Sequence, residues 1–177
     1  HQVLPRFDHG VWFVDVSAAA EPDEVARSLA GVLRIPDDPA RTVTDAVARL
    51  LGDRRLLVIL DGCEQQAAAC AALAEALLTE APGVRILATG IGSLRCSGEQ
   101  RFPLSPLPTP AADLPAADPR IAECDSVRLF VDRARSSQPS FEWSAHVADD
   151  VARICRRVDG IPMAIELAAS AVGVIPI

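Results

Sequence analysis

Three short stretches of the chain are almost unbroken runs of β-branched, aliphatic and aromatic residues. Val11-Trp12-Phe13-Val14-Asp15-Val16, preceded by Gly10, reads as a buried strand. Leu56-Leu57-Val58-Ile59-Leu60 places five aliphatic residues in a row and ends on Asp61. A strand with no polar face is expected to be covered on both sides, as in a parallel sheet. Val84-Arg85-Ile86-Leu87-Ala88-Thr89 reads as a third strand, and Arg101-Phe102-Pro103-Leu104 is a candidate for a short fourth.

Between these runs the period changes. Pro22 opens a helix that carries Val25, Leu29, Val32 and Leu33 on one face, and Pro36 to Pro39 break it. A second helix carries Val43, Val47, Leu50 and Leu51, closed by Gly52. An alanine-rich helix is expected from about Gln65 to Thr79, anchored by Leu73 and Leu77 and ended by Pro82-Gly83. The alternation of strand and helix is the βαβ rhythm, which implies an α/β fold: a parallel sheet flanked by helices on both faces.

The pattern then shifts. Pro103, Pro106, Pro108, Pro110, Pro115 and Pro119 punctuate a stretch of low charge that reads as a semi-rigid linker. Three helices without strands are expected after it. The first carries Val127, Phe130, Val131 and Ala134; the second starts at Ser144 and carries Val147, Val151, Ile154 and Val158; the third starts at Pro162 after Gly160. The expected organisation is a partial α/β core over 1–104, a linker over 105–121 and a small all-helical subdomain over 122–177.

Composition narrows the function. The net charge is −7 over 177 residues, so the basic face that rewards duplex nucleic acid is missing and direct nucleic-acid binding by this segment is not expected. Pairs such as Arg54-Arg55 and Arg156-Arg157 read as solvated helix ends. All 17 basic residues are arginine, so chemistry that needs an ε-ammonium group cannot reside here. The five cysteines, Cys63, Cys70, Cys96, Cys124 and Cys155, form no C-x-x-C pair and read as free thiols of a reducing compartment. No apolar run reaches the ~20 residues of a membrane span. These features predict a cytoplasmic chain without a membrane contact. Its start at His1, with strand-like sequence close behind, predicts a piece cut from something longer.

Few residues carry chemistry. Asp61 stands at the carboxyl end of an aliphatic strand, where open α/β sheets bind ligands and where a carboxylate can hold magnesium through water. It could equally cap the next turn. Thr89 ends the following strand, where its hydroxyl could sense a γ-phosphate. Pro162 occupies a first helical position after Gly160-Ile161. His1, His9 and His146 are dispersed and no G-x-S-x-G elbow occurs, which leaves a metabolic enzyme little to work with.

Taken in order, GVWFVDV, RRLLVILDGCE, GVRILAT, SVRLFVDRAR and ICRRVDGIPMAIELAAS resemble the ATPase module of STAND-class P-loop NTPases. The closest likeness is to the NB-ARC-like domains of bacterial transcriptional regulators of the LuxR and SARP types. The resemblance spans roughly Gly10 to Val172. It implies that Asp61 is the Walker B aspartate that assists Mg–ATP and that Thr89 opens the sensor motif. It implies that Gly160 and Pro162 form the G-x-P motif coupling the helical subdomain to ATP or ADP. Cys63-Glu64 matches a Cys-Glu of many such proteins, with no role assigned. The chain departs from the pattern in lacking the lysine loop G-x-x-x-x-G-K-[ST], in Gly62, in Gly90 and in Ile91, which stands where the sensor arginine belongs.

Two expectations follow. In one, the chain is part of an ATP/ADP-dependent switch with Mg2+ in a parent regulator, inactive as an ATPase by itself, whose partners are the parent's other domains or further copies of itself. In the other, it is a degenerate scaffold for protein interaction or oligomerisation without nucleotide hydrolysis.

Overall fold

The computed structural model describes residues 4–36, 38–115 and 117–172, so His1 lies outside the described residues. The chain divides into two compact units, His1–Arg101 and Phe102–Ile177.

The first unit opens with a single 3-10 turn, Leu4–Arg6, and then alternates strand and helix: β1 (Val11–Asp15), α1 (Pro22–Leu33), α2 (Val43–Leu51), β2 (Leu56–Asp61), α3 (Ala67–Glu80) and β3 (Val84–Ala88). The three strands are parallel in the order β1-β2-β3. Local chemistry sets the helix ends. The Glu24 carboxylate accepts the amides of Ala20 and Glu21 ahead of α1, and Thr42 Oγ1 accepts the Asp45 amide at the start of α2. Gly52, at φ +34, closes α2.

The register shows how the sheet is covered. Val14, Leu56, Val58, Leu60 and Val84 share one face with the half-buried Trp12 and Ile86, and they form a single core with Val25, Leu29, Val47, Leu51, Leu73 and Leu77 of α1, α2 and α3. The other face does not join it. Its rows are Val11–Leu57–Arg85 and Phe13–Ile59–Leu87, and Phe13 and Leu87 are 57% and 52% exposed. The expectation of helices on both faces therefore fails for the described residues: the three helices pack on one another and on one side of the sheet. Both crossovers step in the same direction along the strand order, and right-handed crossovers that do so lay their helices on one face.

Three further expectations change. Arg101–Leu104 is not a strand. Phe102 and Leu104 are 84% and 86% exposed, and no neighbouring strand takes their backbone groups. Arg54-Arg55 is not a helix end: Arg55 leads into β2, where its amide donates to His9 Nδ1 and its carbonyl accepts the His9 amide. Val32 and Leu50, read onto packing faces, are exposed.

The second unit holds α4 (Pro119–Glu123), α5 (Asp125–Ser137), α6 (Ala145–Arg157) and α7 (Pro162–Ser170), one short helix more than the pattern predicts. Pro119 sits in the first turn of α4 and Asp118 caps it, so the last proline of the expected linker starts a helix. Phe130, Val127, Ala134, Val151, Cys155, Ile165 and Ala169 make a separate core. The proline-rich stretch is not a free spacer. Leu107 and Leu114 pack on that core and Pro110 is buried. The Pro108 carbonyl accepts the Cys124 thiol at 3.1 Å, and the Pro110 carbonyl accepts the Arg156 guanidinium at 3.4 Å. All five cysteines are free; Cys63, Cys70 and Cys155 are buried. Among the described residues no helix is long and apolar enough to cross a membrane.

Candidate functional site

Asp61 and Thr89 meet. Asp61 is the last residue of β2 and Thr89 follows the last residue of β3, so the two chain ends emerge side by side at the carboxyl edge of the sheet. The Thr89 backbone extends the ladder, donating to the Leu60 carbonyl at 2.9 Å and accepting the Cys63 amide at 3.0 Å. Its Oγ1 donates to Asp61 Oδ1 at 2.6 Å and accepts the Gly62 amide at 3.1 Å. Thr89 is exposed and Asp61 half-buried, so both are open to solvent.

The sequence reading missed a third group. Asp15, the last residue of β1, is the register partner of Asp61 and lies on the same face. Its Oδ1 accepts the Ser17 amide at 2.9 Å and the Ser17 hydroxyl at 2.6 Å. The hydroxyl bond first, and then the amide bond, hold its carboxyl below the usual range. Asp15 and Asp61 thus end adjacent strands whose backbones run roughly 4.8 Å apart. A strand ending in aspartate twice over, at Asp15 and at Asp61, was the available signal.

Gly62 has a steric reason. Its φ is +79, and a Cβ there would stand 2.6 Å from Ser17 Cβ. The residue that departs from the family pattern is one the turn requires. Gly90 has no such reason: a Cβ there would meet only Glu64 and Cys63 at 3.6 Å and beyond. Ile91, which the resemblance sets where a sensor arginine is expected, is 92% exposed. Below the turn the Cys63 thiol donates to the Leu60 carbonyl at 3.5 Å. Its hydrogen bond with Cys70 and its burial push it far up, so it stays a thiol.

In the second unit Gly160 and Pro162 flank one turn. Gly160 has φ +68, follows Asp159 at φ +51, and ends α6 with its amide on the Cys155 carbonyl at 3.1 Å. Its carbonyl accepts the Leu107 amide at 2.9 Å. Pro162 opens α7 and is exposed, beside Ile161 and Met163, which are 48% and 73% exposed. His146 is exposed in the first turn of α6, and His9 is engaged by the Arg55 amide.

The donor set can be tested against Mg–ATP. Asp61, Asp15 and Thr89 supply hard oxygens of the kind magnesium takes through water. Among the described residues no three His, Cys, Asp or Glu side chains converge on a common metal position. Polyphosphate needs a cradle of amides and a cationic side chain, and this lysine-free chain supplies no ε-ammonium group. The oxygens present are of a kind a hydrated cation takes, without a converging ligand set, and nothing among these residues supplies a phosphate grip. A cleft of about 350 Å3 lies beside Asp15, lined by Ala18, Ala19, Glu24, Arg27 and Ser28. One of about 530 Å3 is lined by Arg41, Asp45, Arg49, Gly52 and Glu80. Neither is lined by Asp61 or Thr89.

No family model matches the chain, and no solved structure matches it. Curated proteins do. A Mycobacterium tuberculosis protein whose name proposes an HTH-type transcriptional regulator is 39% identical over 164 residues, which is 92% of this chain and 17% of that protein. A Mycobacterium bovis protein of the same description matches to the same extent. An uncharacterized Mycobacterium tuberculosis protein is 34% identical over 169 residues, 96% of this chain and 40% of its own length. The chain therefore spans less than half the length of the relatives it matches.

Proposed function

We propose that the chain is the central part of an ATP- or ADP-responsive switch module in a bacterial transcriptional regulator. The observation that carries the reading is the pairing of Asp61 with Thr89 at the carboxyl edge of a parallel sheet, the place where such sheets bind ligands. The relative named for transcriptional regulation supports the regulatory half. In this reading Asp61 holds Mg2+ through water, with Thr89 orienting its carboxylate. Gly160 and Pro162 shape the turn through which the helical unit responds to nucleotide. The partners are the other domains of the longer regulator, in the cytoplasm, and nucleic acid is contacted by those domains.

The test is nucleotide titration of the full-length regulator, with and without Mg2+, alongside Asp61→Ala. Magnesium-dependent binding that weakens at least tenfold in the variant is the expected result. Binding or regulatory output that is indifferent to Asp61→Ala, in a protein that still folds, would favour the second reading. That reading is a scaffold for interaction or oligomerisation that has shed nucleotide chemistry. The specific observation on its side is Ile91, an exposed aliphatic residue where the switch family has an arginine.

A further inference from the structure

We infer that Cys124 and Cys155 are a reversible oxidation site: a hydroperoxide takes the Cys124 thiol first, and Cys155 then closes a disulfide in place of the bond that holds Pro108. Cys124 stands directly ahead of α5 and is half-buried. Its thiol donates to the Pro108 carbonyl at 3.1 Å, and its sulfur lies 3.6 Å from the Ser126 hydroxyl oxygen. The same hydroxyl hydrogen-bonds the Cys155 thiol near the end of α6. Ser126 is fully buried, the one polar side chain so placed among the described residues. A hydroxyl kept out of water is satisfied by the groups around it. Here those groups are two thiols from different elements, which share it as a partner and belong to one core.

The surroundings select the thiol that reacts first. Oxidation needs a thiolate that the oxidant can reach. Cys63, Cys70 and Cys155 are buried. Cys96 is half-buried, but burial and then the Glu99 carboxylate push its thiol up. Cys124 is half-buried too, and it heads a 13-residue helix at the end that favours negative charge. Asp125, the carboxylate next to it in the chain, faces Arg128 at 3.7 Å. In the first step the Cys124 thiolate attacks one peroxide oxygen. The O–O bond breaks, hydroxide or alkoxide leaves, and Cys124 becomes a sulfenic acid. In the second, the Cys155 sulfur attacks the Cys124 sulfur. An S–S bond forms, the S–O bond breaks, and water leaves with the Cys155 proton. Two thiols thereby give two electrons to one hydroperoxide. Burial pushes the Cys155 thiol up to about 11, which makes the second step the slower one. The disulfide brings the sulfurs to about 2.05 Å, so Cys124 turns inward and the Pro108 carbonyl loses its donor. The segment keeps its bonds from the Leu107 amide and the Arg156 guanidinium, and it loosens between them. In a reducing compartment such a bond is transient and acts as a sensor. The inference does not depend on what Asp61 binds.

The experiment treats the reduced full-length protein with hydrogen peroxide and maps its peptides by mass spectrometry. The expected product is a peptide cross-linked between Cys124 and Cys155, formed before Cys96 is modified and reversed by a thiol reductant. With a cyclic dione present to trap sulfenic acid, the label should fall on Cys124, and Cys155→Ala should raise its yield roughly tenfold. Cys124→Ser should abolish both products. In the oxidised protein the Leu107 amide should exchange about fivefold faster or more. Modification that falls first on Cys96 would overturn the inference, as would a Cys124 that stays a thiol until the chain unfolds. A sulfenic acid that never links to Cys155, or a disulfide between two chains, would overturn the pairing. A disulfide that leaves Leu107 exchange unchanged would overturn the loosening. The mapping needs no variant, so the inference stays testable if Cys155→Ala does not fold.

Discussion

Replacing Gly160 by alanine should unseat the proline-rich segment from the helical unit. The added Cβ would stand 2.0 Å from the Leu107 carbonyl oxygen and 3.1 Å from the Leu107 carbonyl carbon, in a residue at φ +68. Two costs combine. An L-residue in the left-handed region costs about 1 kcal/mol relative to glycine. The clash is with backbone, so Leu107 must retreat, and its amide then loses the 2.9 Å bond to the Gly160 carbonyl, worth about 1 kcal/mol. The sum is roughly 2 kcal/mol, and at about 4–8 °C per kcal/mol for a unit of this size it predicts a melting drop of about 8–16 °C. Differential scanning calorimetry reads it directly, with Gly92→Ala as control, since a Cβ at Gly92 meets nothing within 4 Å. If Gly160→Ala melts within about 2 °C of the parent, the contact between the turn and the segment contributes little and the reasoning fails.

Two further outcomes are expected. Thr89→Val removes both side-chain bonds of Oγ1 and should cost the sheet unit about 1 kcal/mol in urea unfolding, largely recovered by Thr89→Ser. An unchanged midpoint would show that the exposed pair with Asp61 is not populated in solution. Asp118 is held down to about 2 by the Arg120 guanidinium and then by the Arg120 amide. A depressed carboxyl adds stability above its ordinary value near 3.9, and this is lost as pH falls through about 2. Asp118→Asn should therefore flatten the acid side of the stability curve between pH 4 and pH 2, and superimposable acid titrations of the two proteins would contradict the assignment.

The strands and most helices are legible because periodicity and composition act locally. Leu56–Asp61 has no polar face in the sequence and forms a strand, as five consecutive aliphatics require. What covers each face is not local. Ile59 and Val58 are chemically alike, yet Val58 is sealed under the helices and Ile59 faces outward, because crossover handedness decides which side the helices take. Arg101–Leu104 fails as a strand for the same kind of reason: a strand needs a neighbour, and no pattern within four residues can supply one. The prolines from Pro103 to Pro119 suggested a spacer through the amides they lack, whereas their carbonyls remain able to accept the Cys124 thiol and the Arg156 guanidinium. At the candidate site Asp61 and Thr89 were readable, each at a strand end. Asp15 was not, because its place beside Asp61 is a matter of register. Gly62 looked like a lapse from a family pattern until Ser17 gave it a steric cause.

The Thr89 hydroxyl has a consequence for how the site would respond to an occupant. It has one proton, committed to Asp61, and the lone pair it uses is committed to the Gly62 amide. A β-branched side chain turns between a few discrete positions and does not drift continuously. A carboxylate keeps further lone pairs free while it accepts this proton, so an occupant can approach Asp61 with the hydroxyl still in place. Thr89 is in this sense a brace, which fixes the direction of the Asp61 carboxylate and the turn at Gly62 together before anything arrives.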